Sequence, residues 1–435
     1  MTADTSAQTE ELKSLVAGKR AEYTAALREL LAESAAGEEA LQRAVAQRFE
    51  RLGCEVESIA SRPNRFVLAA DFGADAAEEQ PERASVVAVL PGTGGGRSLL
   101  AFAHPDSEPV ADTERWRHDP FAGEIEDGRI YGWGIADDLS GVAAMICALD
   151  VVRAAGLQLS GNVVCASAVS KRRAQGIYAV LDAGHRADAA IYLHPAESGA
   201  GLADIKARAS GLMYFRITLN GQPPETSEPT HTPFYHLAVN PLDKAWLVYR
   251  ALAELAEQRA QRVHHPAYDA IGRATNLHIS HIAAGDGARP GRVAAEAIMT
   301  GSVTFPPDED IAAVQREIEA ALRQVAGDDP WLREHPPRLE WLQGTAGVEV
   351  PEDSAIFQTV AGAIERVTGA APGVQSLHAG SEIRAPNHFK DIPAVGFGPL
   401  SGDNTQSGGT DEWVSADDFV NMVEVVANIM LDWCG

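Results

Sequence analysis

Histidine, aspartate and glutamate, the side chains from which hydrolytic metal sites are built, stand in this chain beside apolar runs. His104 and Asp106 follow SLLAFA as HPD, Asp137 and Asp138 form a pair in GIADDLSG, His194 follows IYL, and Glu382 and Arg384 lie in SEIR. Imidazole and carboxylate together are the usual ligands of a catalytic zinc ion, which keeps one position open for water. Taken singly, a histidine is more often a hydrogen-bonded core residue. A short basic run such as Lys171-Arg172-Arg173 is more often an exposed turn.

The elements that would position these groups follow from apolar periodicity. Residues from about Glu10 to Leu52 read as two helices, with Leu12, Val16, Tyr23, Leu27, Leu30 and Leu31 on one face. Apolar runs RFVLAADF, SVVAVLPG, SLLAFAH and GNVVCASAV then recur between helical stretches such as GVAAMICALDVVRAAG, the alternation of a mostly parallel sheet covered by helices. Near Lys206 the texture changes to strand, long helix, two strands and helix, a compact α+β insert. The first pattern returns with SAIFQTVAGAIERVTG, IPAVGFGP and the closing ADDFVNMVEVVANIMLDWC. The expected fold is α/β, a mostly parallel mixed sheet sandwiched by helices, with residues 1–206 and 329–435 forming the main domain and 207–328 an inserted α+β domain. His104 and Asp106 fall at the carboxyl end of a strand, where open α/β sheets hold their ligands.

Composition narrows the function classes. With 435 residues, 45% of them hydrophobic and 22% charged, the chain can bury two cores, and no apolar run approaches the length that spans a bilayer. The first forty residues lack the pattern of a secretory signal, which points to the cytoplasm. Four cysteines, Cys54, Cys147, Cys165 and Cys434, are scattered without CxxC spacing, against a disulfide framework or a thiolate zinc site. Sixty-one acidic against 36 basic side chains leave a net charge of -25, which disfavours nucleic acid and anionic membranes as partners.

Four segments together resemble the metallopeptidase family of aminoacylase, acetylornithine deacetylase, succinyl-diaminopimelate desuccinylase and carboxypeptidase G. They are AFAHPDSEPV, WRHDPFAGEIEDGRIYGWGIADDLSG, SEIRAPNHFKDIPAVGFGP and HTPFYHLAVNP, and they occur in the family's order along nearly the whole chain. The resemblance implies that His104 is a metal ligand oriented by Asp106, that Asp137 bridges two ions, and that His194 takes the place of an acidic ligand. It further implies that His231 and Asn240 of the insert reach substrate, that Arg384 binds a substrate carboxylate, and that the chain dimerises through the insert, which acts as a lid. Asp138 is a structural neighbour on this reading.

The chain departs from the family where chemistry matters most. Ser170 and Lys171 replace the two acidic residues that serve as general base and private ligand of the second ion, and Gly408 replaces that ion's histidine, although Glu412 is retained. His104, Asp137 and His194 remain, enough for one zinc ion or none. Lys171 is then expected near Asp137, its ammonium supplying positive charge where a cation has been removed. Glu197, Glu382 and His231 are the candidates for the missing base, with His378 another stand-in for a lost ligand. The expected function is deacylase-like attack on an amide-type bond of a small amino-acid or peptide derivative. Cyclisation, elimination or acyl transfer in a metal-poor pocket is the alternative, and a non-catalytic protein that keeps only the fold is a third reading.

Overall fold

A computed structural model describes residues 3–62, 66, 71–73, 81–107, 110, 113–195, 198–374, 378–402 and 409–435. Its central sheet has six strands in the order Glu55–Ser61, Arg83–Leu90, Val163–Ser167, Leu99–Ala103, Ala189–Leu193, Ala394–Phe397. The last four run parallel and the first two join antiparallel, so the sheet is mixed with a parallel centre. Side chains on successive strand residues leave on opposite faces. Leu99, Ala101 and Ala103 therefore feed one core, with Val163, Cys165, Ile191 and Leu193, while Leu100 and Phe102 feed the other with Val164, Ala166 and Tyr192.

The first core lies under the amino-terminal helices and the helices Ser140–Ala154, Ala355–Thr368 and Ala416–Cys434; the second lies under Gln175–Asp182 and Arg384–Lys390. Helix Ser140–Ala154 is buried nearly all round, which explains its unbroken apolar sequence. Its Gly141 lies against the ends of two strands: a methyl there would overlap the Leu193 carbonyl oxygen and sit 2.8 Å from Ala103 Cβ.

A second, antiparallel sheet has the order Asn276–Ala284, Glu296–Phe305, Gly211–Asn220, Arg338–Thr345, Asp71–Gly73. Met213, Phe215, Ile217 and Leu219 alternate inward against Val248 and Leu252 of helix Pro241–Arg262 and Ile318 and Leu322 of helix Ile311–Asp328. Arg259, fully buried, is paired with Glu309 and Glu317.

Three expectations change in detail. The amino-terminal segment forms three helices, Ala3–Gly18, Arg20–Ser34 and Glu38–Arg51, the third set off by Gly37 at φ 97°. Of the run RFVLAADF, residues 65 and 67–70 lie outside the described residues, and Asp71–Gly73 pairs with the second sheet instead of the first. Strand Arg338–Thr345, beyond residue 328, also joins that sheet by pairing with Gly211–Asn220. Ladder pairing, unlike periodicity, depends on partners distant in sequence. No helix among the described residues is long and apolar enough to cross a membrane.

Replacing Gly141 by alanine is expected to cost on the order of 2 kcal/mol, because the backbone overlap outweighs the gain in helix propensity of about 1 kcal/mol. Urea denaturation of the Gly141→Ala protein checks this.

Candidate active site

The three central parallel strands are in register as Ala103 with Ser167 and Phe102 with Tyr192. The residues that follow them, His104, Ala168 to Lys171, and His194, therefore emerge along one carboxyl edge of the sheet. Asp137 and Asp138 reach the same edge from the turn that opens helix Ser140–Ala154, and Glu382 from the segment before helix Arg384–Lys390.

Oδ1 of Asp137 accepts from Nε2 of His194 at 2.7 Å and contacts the Lys171 ammonium. That ammonium is also 3.6 Å from Oδ1 of Asp138, a buried oxygen with no hydrogen-bond partner among the described residues. The other Asp138 oxygen accepts the backbone N–H of His104 at 3.0 Å. His104 Nε2 and Glu382 Oε2 lie 2.7 Å apart as a buried ion pair. Nδ1 of His104 meets the Ala168 carbonyl at 2.5 Å.

Burial opposes charge on both members of this pair, and their attraction overrides it. For His104, burial lowers the pKa, but the Glu382, Asp138 and Asp106 carboxylates raise it to about 9. For Glu382, burial raises the pKa, but His104, Arg384 and Lys171 hold it below the ordinary value. Asp138 is pushed well up by burial, against the pull of His104.

Among the described residues, Asp137, Asp138 and His194 form the group whose ligand atoms all lie within 4.8 Å of one another. Two carboxylates and an imidazole suit a divalent ion by type. Lys171 changes that balance: at ~4 Å and an effective dielectric of ~20, an ammonium and a doubly charged ion repel by about 8 kcal/mol. With the ammonium in place, these donors do not fit a divalent ion.

Of the expected ligand set, Asp137 and His194 lie together and His104 lies apart from them. His104 lies against the buried Glu382 carboxylate, and Asp138 completes the group with Asp137 and His194. Asp106 does not orient His104; it pairs with Arg83 at 2.9 Å and accepts the Lys171 backbone N–H at 3.2 Å, while the Ala168 carbonyl meets the imidazole. Arg384 is committed to protein: Nε and Nη2 donate to Asp71 at 3.1 and 2.9 Å, and Nη1 to the Ser381 carbonyl at 3.0 Å. Tyr178 donates to the same Asp71 oxygen, so this arginine is part of a buried network.

His231 and Asn240 lie beside the second sheet. His231 Nδ1 accepts from Val293 N–H at 3.1 Å, and the Asn240 side chain caps helix Pro241–Arg262 by accepting from Leu242 N–H at 3.1 Å. No contact described for either reaches the Asp137 cluster. His378 stacks on Tyr268 and is 2.7 Å from the Arg273 carbonyl, a structural place. Glu197 and Gly408 lie outside the described residues. Sequence reasoning missed the part played by Glu412, whose buried carboxylate accepts from the N–H groups of Gly134, Ala136 and Asp137 at 3.3, 2.7 and 3.0 Å. The only signal was its retention where the neighbouring histidine is lost.

A family model for peptidase family M20/M25/M40 matches residues 100–432. The chain belongs to this family. It is 26% identical over 98% of its length, and 97% of the relative's, to an N-formyl-4-amino-5-aminomethyl-2-methylpyrimidine deformylase of Halalkalibacterium halodurans. A deformylase of the same description from Bacillus subtilis is 24% identical over 83% of this chain and 86% of its own. An M20 family metallo-carboxypeptidase of Sulfolobus solfataricus superposes with a TM-score of 0.69 at 16% identity, over 94% of this chain and 98% of its own, which speaks for the fold. As a member of family M20, the chain is by class a hydrolase of amide-type C–N bonds.

Two outcomes follow from the site's electrostatics. His104, its pKa raised in the fold, contributes stability that is complete below the unfolded value near 6.5 and lost as the pH rises through about 9. Glu382, its pKa lowered, contributes above its unfolded value and loses that contribution in acid. Wild type should therefore lose on the order of 3 kcal/mol more than Glu382→Gln between about pH 6.5 and 9, read from urea denaturation at each pH. Glu412→Ala strands three amides and should lower stability by roughly 2 kcal/mol or more, with faster hydrogen exchange at Ala136 and Asp137.

Proposed function

We propose that this chain hydrolyses the amide bond of a small N-acylated amine or amino-acid derivative, at an altered centre that does not need a resident divalent ion. The observation that carries the reading is the Lys171–Asp137–His194 contact beside the His104–Glu382 pair, at the carboxyl edge of the parallel strands. Near full-length similarity to proteins described as deformylases of an N-formyl aminomethylpyrimidine supports a short acyl group, formyl first among those to try.

On this reading Glu382, held ionised by His104, takes a proton from water as its oxygen bonds to the acyl carbon. The Lys171 ammonium stabilises the charge that develops on the carbonyl oxygen. Collapse breaks the C–N bond, and the amine leaves with the proton carried by Glu382. Glu382→Gln should lower kcat by about a hundredfold or more without abolishing binding. Assays of N-formyl and N-acetyl amines in water labelled with oxygen-18 test the reaction itself: label in the released acid supports hydrolysis, and an unlabelled rearranged product supports the non-hydrolytic alternative.

A second copy of this chain is the proposed occupant of an apolar face on helix Pro241–Arg262. Leu242, Trp246 and Tyr249 are exposed there, with Trp246 and Tyr249 stacked at 5.8 Å, and strand Asn276–Ala284 forms the adjoining outer edge of its sheet. A helix face beside a sheet edge can meet its own copy across a two-fold axis. Sedimentation should report a dimer that Trp246→Glu converts to monomer. Free, buried cysteines support a reducing, cytoplasmic setting.

A further inference from the structure

We propose that the Lys171 ammonium is the resident cation of this centre, and that removing its charge uncovers a latent site for one divalent metal ion held by Asp137, Asp138 and His194. The inference rests on reading the cluster as the reaction centre, and it does not depend on the substrate.

Three observations carry it. The first is position. Lys171 contacts Oδ1 of Asp137 and lies 3.6 Å from Oδ1 of Asp138, so the ammonium stands against both carboxylates of the group. The second is a buried oxygen without a hydrogen-bond partner among the described residues. Asp138 is fully buried, and its Oδ1 has no hydrogen-bond partner among the described residues, although its other oxygen is well bonded to the His104 amide. An oxygen left this way is open to a closer cation, whose charge would favour the ionised carboxylate against its burial.

The third is that Lys171 does not reach the centre as a mobile surface side chain. Its backbone N–H is held by both oxygens of Asp106 at 3.2 Å, Asp106 is paired with Arg83, and Arg83 with Glu38. A short strand end fastened in this way delivers the ammonium to one place. Lys171 differs from a metal in one respect that matters for function: it is covalently attached, so chelators and metal supply cannot alter its occupancy. Charge on the protein takes over what a dissociable ion would otherwise provide, and the same charge keeps that ion out.

The test uses the full chain, dialysed against a chelator and then offered zinc or cobalt. Metal content is read by elemental mass spectrometry, cobalt coordination by visible absorption, and the thermal midpoint with and without zinc. Wild type should bind no metal above background. Lys171→Met should bind one equivalent, at least about a hundredfold more tightly than wild type, with a zinc-dependent rise in the thermal midpoint. Lys171→Arg, which keeps the charge, should exclude metal as wild type does, and Lys171→Met with His194→Ala should lose the gained site. Circular dichroism establishes that each variant is folded, and Lys171→Gln replaces the methionine variant if that one is not. One tight equivalent in wild type, or none in a folded charge-neutral variant, would overturn the proposal. Since every readout is metal binding, a protein that shows this switch but cleaves no amide would sink the proposed reaction while leaving the latent site standing.

Discussion

One carboxylate oxygen, Oδ1 of Asp137, serves an ammonium and an imidazole at once, and the rest of the centre is arranged around that sharing. Lys171 and His194 follow different strands, and Asp137 lies in a helix-opening turn, so the contact requires two strand ends and one helix start to meet at the same height. Parallel pairing meets that requirement, because strands that hydrogen-bond in register must also end together. Charge then does the remaining work. Two acidic groups at the turn and one at Glu382 face Lys171 and His104, and His104, Asp138 and Glu382 are buried enough that burial and neighbouring charges shift their protonation.

The turn that carries Asp137 is held from the far end of the chain. Glu412 comes just before the closing helix and accepts three of the turn's amides, while that helix packs on Ser140–Ala154 in the main core. Gly141 lets the same helix approach the ends of the central strands. The carboxyl-terminal hundred or so residues therefore complete the site as well as the sheet, which gives a physical reason for a fold whose main layers are interrupted by a second sheet.

That second sheet is built by different means. Its core alternates along Gly211–Asn220, and its buried arginine, Arg259, is neutralised by Glu309 and Glu317. The apolar face on Pro241–Arg262 is turned away from its own core, so the layer presents one face inward and another outward. His231 and Asn240 belong to this layer, and their described contacts serve its own loops and helix caps.

The sequence by itself determined the layers, because apolar periodicity is local: the strands that end at Ala103 and Ser167 and the helix after Asp138 were legible in their runs of residues. It also singled out Lys171, Asp137, His194, His104 and Glu382, since their motifs keep family order and their substitutions stand out against it. What tertiary structure alone decided was the partner of each charge. That Glu382 takes His104, that Asp138 joins Asp137 and His194, that Asp71 takes Arg384 and that Glu412 clamps backbone are choices among distant carboxylates. Spacing in sequence carries no information about them, because a charge pairs with whichever opposite charge the fold brings within a few ångströms in a desolvated place.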